Sequence, residues 1–102
     1  MPTAYITAPP EEAPELAKTL VEERLAACVN TIDINSVYRW DGDVHEDDEV
    51  ALIAKTTAER YDDLVARVVE RHPYEVPCIE RFDEDAVLAA FANWRANSVA
   101  EK

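Results

Sequence analysis

His72 and Cys78 are the two residues of this chain that most readily suggest chemistry. They stand six positions apart in His72-Pro73-Tyr74-Glu75-Val76-Pro77-Cys78. An imidazole and a thiol together suit copper or zinc better than magnesium or calcium. An extended connection of this length could span up to about 20 Å. The two therefore share an ion only if the segment doubles back or a neighbouring chain supplies the partner. His72 also reads as a packed histidine closing a helix, where its charged form would favour the helix dipole. The other thiol is Cys28, and two cysteines are too few for a disulfide framework. Both are expected to be reduced and unpaired, and each also reads as a small buried residue. Lys55, in Ile53-Ala54-Lys55-Thr56, reads either as a snorkelling lysine or as the holder of an anion in a cleft.

The acidic run Asp41-Gly42-Asp43-Val44-His45-Glu46-Asp47-Asp48-Glu49 has the look of a calcium loop. It fails the EF-hand pattern, because Glu46 holds the required glycine position and Leu52 the position of the bidentate acid. It reads as a solvated hairpin tip that could attract harder ions through His45 and its neighbours with little selectivity. No nucleophile elbow or serine-histidine-acid set is present, and a single glycine argues against a glycine-rich phosphate cradle. Thr7-Ala8-Pro9-Pro10 lacks the arginine that an acylphosphatase-like anion loop would need. The chain is not expected to be an enzyme.

The elements that must position these residues are organised around Val29 to Thr56. Ile32, Ile34, Tyr38 and Trp40 share one parity, and Thr31, Asp33, Asn35 and Arg39 the other. A period of two marks a half-buried strand. Asp41-Gly42-Asp43 interrupts it, and a second strand returns with Val50, Leu52 and Ala54 in alternation. Together they predict one long antiparallel hairpin. Pairing like with like requires a loop longer than two residues, or a bulge, setting Trp40 against Val44, Ile34 against Val50 and Ile32 against Leu52. A strand of this length would span about 40 Å, more than the roughly 33 Å diameter of a domain this size. Its tip, with Tyr38, Trp40 and Val44, should be covered by a neighbouring subunit.

Around the hairpin, Thr3 to Ala8 predicts a strand, and Leu16, Leu20, Val21 and Leu25 the apolar stripe of a first helix. Tyr61, Leu64, Val65, Val68 and His72 mark a second helix over Thr57 to Arg71, stopped by Pro73. Cys78 to Phe82 predicts a last strand. Asp83, Glu84 and Asp85 are expected to cap a third helix whose apolar face is Val87, Leu88, Phe91 and Trp94. The order gives an α+β fold, a ferredoxin-like βαββαβ sandwich with an antiparallel sheet, a long central hairpin and an extra C-terminal helix. Residues 1–102 are expected to form a single domain.

Lysine plus arginine number 10 and aspartate plus glutamate 22, a formal net charge of −12. That balance argues against nucleic acid and anionic membrane as partners. Acids spread along the chain, with only Lys18, Lys55 and Lys102 as lysines, suit a halophilic source. With no apolar run of membrane-spanning length and no signal pattern at the N-terminus, the expected location is cytoplasmic.

Leu20 to Asn30 (LVEERLAACVN), Ser36 to Gly42 (SVYRWDG), Glu49 to Thr56 (EVALIAKT), His72 to Pro77 (HPYEVP) and Trp94 together resemble the CutA divalent-cation tolerance family. The resemblance implies a small ferredoxin-like homotrimer in which long hairpins reach across to neighbouring subunits. It also implies a role in tolerance of copper or another divalent cation, without an organic cofactor. The family's recurrent positions fall on Tyr38, Trp40, Lys55, Tyr74 and Trp94 as binding residues, and on Cys28 and His72, which with Cys78 are the candidate metal ligands. Two departures stand out. Cys78 replaces a usual glutamate, exchanging a hard oxygen for a soft sulfur, and Phe91 replaces a usual tyrosine. The alternative reading is a trimeric small-ligand signalling module like the PII regulators, which share the fold. The flexible loop and glycine-rich nucleotide contacts of that class are missing here.

Overall fold

Asp41 and Gly42 turn the chain with φ of 55° and 84°. Positive φ at both central residues is the geometry of a type I′ turn, whose twist matches two flanking strands. The computed structural model, described here for residues 1–100, accordingly closes the hairpin with a two-residue loop. Strand β2 (Cys28–Trp40) pairs with β3 (Asp43–Lys55) without a bulge, setting Trp40 against Asp43, Ile34 against Glu49 and Ile32 against Ala51. This corrects the register expected from parity by one residue. The expectation assumed that the apolar residues of both strands face one core. The structure puts them on opposite faces of the sheet.

The remaining elements follow the expected order. Strand β1 (Pro2–Ala8) leads to helix α1 (Ala13–Glu22), and helix α2 (Ala58–Arg71) to strand β4 (Ile79–Asp83) and helix α3 (Ala89–Val99). The four strands run antiparallel in the order β2-β3-β1-β4. Pro14 sits in the first turn of α1, where its missing N–H costs nothing. That helix ends through Arg24, which takes φ of 60° in the left-handed region that usually calls for glycine.

Ala4, Ile6 and Ala8 of β1 and Val50, Leu52 and Ala54 of β3 form one face of the sheet and are buried under Leu16 and Leu20 of α1 and Leu64 and Val68 of α2. This is the core. Thr56 secures the α1 end, donating from Oγ1 to the Leu25 carbonyl at 2.6 Å. The other face of the sheet carries no helix pair. β1 meets β3 only between Ala8–Val50 and Thr3–Lys55. The seven residues of β3 from Asp43 to Glu49, with their β2 partners, therefore project beyond the body by about 24 Å. The molecule measures 45 × 26 × 20 Å, and the projecting hairpin accounts for its long axis.

Helix α3 differs from expectation at both its start and its face. Asp83 completes β4, the helix begins only at Ala89, and Leu88 precedes it with 76% of its surface exposed. The buried residues of α3 are Arg95 and Val99, while Trp94 lies outward against Phe91, ring centroids 5.5 Å apart. Arg95 displaces the apolar stripe because it bonds to everything around it. Its Nε donates to the Thr56 carbonyl at 2.6 Å and Nη1 to Glu84 Oε1 at 2.7 Å. Nη2 donates to the Pro2 carbonyl and to Thr3 Oγ1. A buried guanidinium is tolerated when its donors are met in this way.

Candidate functional site

The face of the sheet away from α1 and α2 gathers most of the singled-out residues. Residues opposite each other on neighbouring strands share a face. The register therefore places Cys28, Ile32, Ile34, Tyr38 and Trp40 of β2 together with Asp43, His45, Asp47, Glu49, Ala51, Ile53 and Lys55 of β3. Thr3, Tyr5 and Thr7 of β1 continue it, as do Glu80 and Phe82 of β4. Ile32, Trp40 and Phe82 are each about half exposed here, and Phe82 meets Tyr5 edge-on at 6.3 Å. These exposed apolar side chains lie on a sheet face that carries no helix pair, and exposed apolar surface of this kind is typical of interaction sites.

A polar centre interrupts the apolar residues. Tyr38 donates from its hydroxyl to Asp47 Oδ2 and stacks on His45, with centroids 5.6 Å apart. Tyr74 reaches across from the α2–β4 connection and donates to Glu49 Oε2 at 2.9 Å. Both phenols are held above the ordinary tyrosine range. For Tyr38 the hydrogen bond to Asp47 is the main cause, and for Tyr74 burial comes first, then the bond to Glu49. Neither is a phenolate at neutral pH, and both serve as donors.

His72 has both ring nitrogens engaged by backbone groups. Its Nε2 contacts the Thr7 carbonyl at 2.7 Å, and its Nδ1 accepts the Tyr74 backbone N–H at 3.1 Å. The carbonyl requires a proton on Nε2 and the amide requires a lone pair on Nδ1, which assigns the neutral Nε2–H tautomer. In this arrangement no lone pair of His72 is free, and the ring pins the segment carrying Tyr74. Cys78 is half-buried and unpaired, its Sγ 3.7 Å from Glu80 Oε1. Burial, the nearby Glu80 carboxylate and, more weakly, Glu49 hold its thiol above the usual range. Cys28 is also a free thiol, across the hairpin from Lys55. Trp94, on α3, is not among the strand residues of this face. Among the described residues no group of three or more histidine, cysteine, aspartate or glutamate side chains is placed to hold a metal ion. No described helix is long and apolar enough to cross a membrane.

Reading the sequence alone passed over Glu49, Asp47 and Arg95. Glu49 and Asp47 were hidden in an acidic run, and only the register shows that they alternate onto the open face beneath two tyrosines. Arg95 carried no signal beyond being a charge next to a tryptophan.

An antiparallel sheet backed on one side by two helices, with an elongated hairpin, defines a ferredoxin-like α+β protein. The family model "CutA1 divalent ion tolerance protein" matches residues 3–98. The chain belongs to that family. It is 42% identical over 91 residues to the divalent-cation tolerance protein CutA of Pyrococcus horikoshii, covering 88% of this chain and 89% of that protein. The CutA of Thermus thermophilus is 54% identical over 74 residues, 71% of this chain and 72% of that one. Among solved structures, CutA1 of Pyrococcus horikoshii superposes with a TM-score of 0.94 at 37% identity, covering 99% of this chain and 100% of that chain. A CutA of Nostoc sp. PCC 7120 in apo form, described as PII-like, superposes with a TM-score of 0.95 at 33% identity, with 98% of each chain covered.

Proposed function

We propose that this chain works as a cytoplasmic homotrimer that binds divalent or soft cations, copper above all, in the tolerance role after which its family is named. The observation that carries the reading is the open sheet face. Its apolar residues need a cover, and the projecting hairpin of one copy has the length to cover the next. In the monomer the soft donors are Cys78, with Glu80 beside it, and Cys28. His72 contributes by holding Tyr74 in place. The partial donor set within one chain is consistent with an exchangeable ion rather than a permanently held one, as a response to varying metal supply requires.

Titration of copper(I) and zinc by calorimetry into the native protein, Cys78→Ser, Cys28→Ser, His72→Ala and His45→Ala tests the reading. The expected result is a large loss of affinity in Cys78→Ser and a small one in His45→Ala. A loss confined to His45→Ala would move the site to the hairpin tip. Because the Cys78 thiol is held above its ordinary range and binds metal as a thiolate, affinity should rise between pH 6 and about pH 9.

The second reading, a PII-like ligand module without catalysis, draws on the name given to the Nostoc structure. A thermal-shift screen pairing metals with nucleotides separates the two, since a ligand selective for the native state raises its melting point.

A further inference from the structure

Glu49 keeps only 7% of its surface exposed, yet among the described residues its carboxylate receives a hydrogen bond from one neutral donor, the Tyr74 hydroxyl, and from no lysine or arginine. Its neighbour two positions along β3 on the same face is Asp47, which deepens the negative potential. A carboxylate taken this far out of water needs a positive partner or costs several kcal/mol. Covering the face with another subunit makes the demand sharper, because the remaining solvent leaves.

The same face offers one candidate. Across all four strands, Lys55 is the only lysine or arginine that the register places on it, since Arg39 and Arg81 fall on the helix side. The Lys55 ammonium makes no ion pair or hydrogen bond among the described residues. Within one chain the two cannot meet. Six positions of one strand separate them by about 20 Å. Glu49 lies at the root of the projecting hairpin, and Lys55 lies at the far end of β3, in the body. A neighbouring copy whose hairpin was laid over the body of this one would bring the two zones together.

We propose that Lys55 of one copy pairs with Glu49 of the next, so that each interface of a closed ring completes one buried ion pair. This rests on the trimeric reading above. It assigns Lys55 to assembly rather than to an anionic ligand. It also makes the ring head-to-tail, with a different patch of each subunit on the two sides of every contact.

The test is charge reversal, performed in chelator so that no metal bridges the carboxylates. Glu49→Lys and Lys55→Glu are prepared singly and together, and the dissociation of each on dilution is followed by analytical ultracentrifugation. Each single reversal should weaken the trimer at least tenfold, and the double reversal should recover to within a few-fold of the native protein. The single variants, mixed, should form mixed trimers above the statistical proportion by native mass spectrometry, because unlike copies restore opposite charges. Should a reversal prevent folding, Glu49→Gln and Lys55→Gln supply the same cycle with milder changes. Additive losses with statistical mixing, in a protein that still trimerises, would overturn the pairing and leave the trimer standing. A native protein that is monomeric throughout would overturn the trimer itself.

Discussion

Arg95 and Glu84 set the tightest constraint at the scale of single residues. The guanidinium ties α3, the N-terminal strand and the end of β3 into one junction through Thr56, Pro2, Thr3 and Glu84. Arg95→Ala removes every one of these donors from a buried site and should cost about 3–5 kcal/mol in chemical denaturation, in the range for breaking a buried pair. A loss below about 1 kcal/mol would mean that water replaces the guanidinium. Glu84 gives the same junction a pH dependence. Burial works against its charge, but the Thr3 hydroxyl and the Arg95 guanidinium outweigh it, and its carboxyl is held below the ordinary range. A depressed value means that its stabilisation is fully present above the unfolded-state value and is lost as pH falls through the folded one. The stability difference between the native protein and Glu84→Gln should therefore be constant near neutrality and shrink below about pH 4.5. A difference that is flat down to about pH 3 would contradict this. Neither residue was legible in the sequence. A lone arginine in Asn-Trp-Arg-Ala has the composition of a solvated helix face, and only the packing of three distant segments reveals its partners.

Two left-handed residues make the fold testable at the scale of elements. Gly42, at φ of 84° in open space, carries the hairpin turn, so Gly42→Ala meets no clash and costs only backbone strain, about 1 kcal/mol. Arg24, at φ of 60°, is the converse, and Arg24→Gly should stabilise by up to about 1 kcal/mol by relieving strain at the end of α1. Opposite signs of the two shifts in melting temperature check the assignment. The hairpin itself was plain in the period-two pattern, and so were α1 and α2 in their helical spacing. Its register was not. The apolar residues of β2 and β3 invite pairing with each other, and the rule that a strand hides one apolar face points to a longer loop. That rule fails here because the apolar residues of β2 and β3 lie on opposite faces of the sheet. The start of α3 was misplaced for a related reason. Asp83 to Asp85 have capping chemistry, but Asp83 is held in β4 opposite Pro2 and Glu84 by Thr3 and Arg95, and those pairings won.

Charge and exposed surface dominate at the scale of the whole molecule. A formal charge of −12 on each copy concentrates repulsion when copies assemble. Salt screens it, with a Debye length of about 3 Å at 1 M. The melting temperature should therefore climb from low to molar potassium chloride, and a flat or falling profile would rule out adaptation to concentrated salt. Trp40, half exposed near the hairpin tip, should behave as an interface anchor, so Trp40→Ala should weaken assembly by more than about 2 kcal/mol. Candidate site residues were legible to the extent that the open face gathers them: Tyr38, Trp40, Lys55 and Cys28 by register, and Tyr74 through Glu49. The imidazole of His72, which the sequence offers as a partner for Cys78, spends both nitrogens on backbone groups.

Everything proposed for this chain depends on whether copies cover one another's open faces. The most direct measurement is the mass in solution by light scattering at micromolar protein in molar potassium chloride, with and without chelator. The account predicts about three times the 11.5 kDa of one chain in both conditions. A mass of one chain in both would contradict it, and would leave the apolar sheet face without the cover on which the ion pair and the proposed assembly depend.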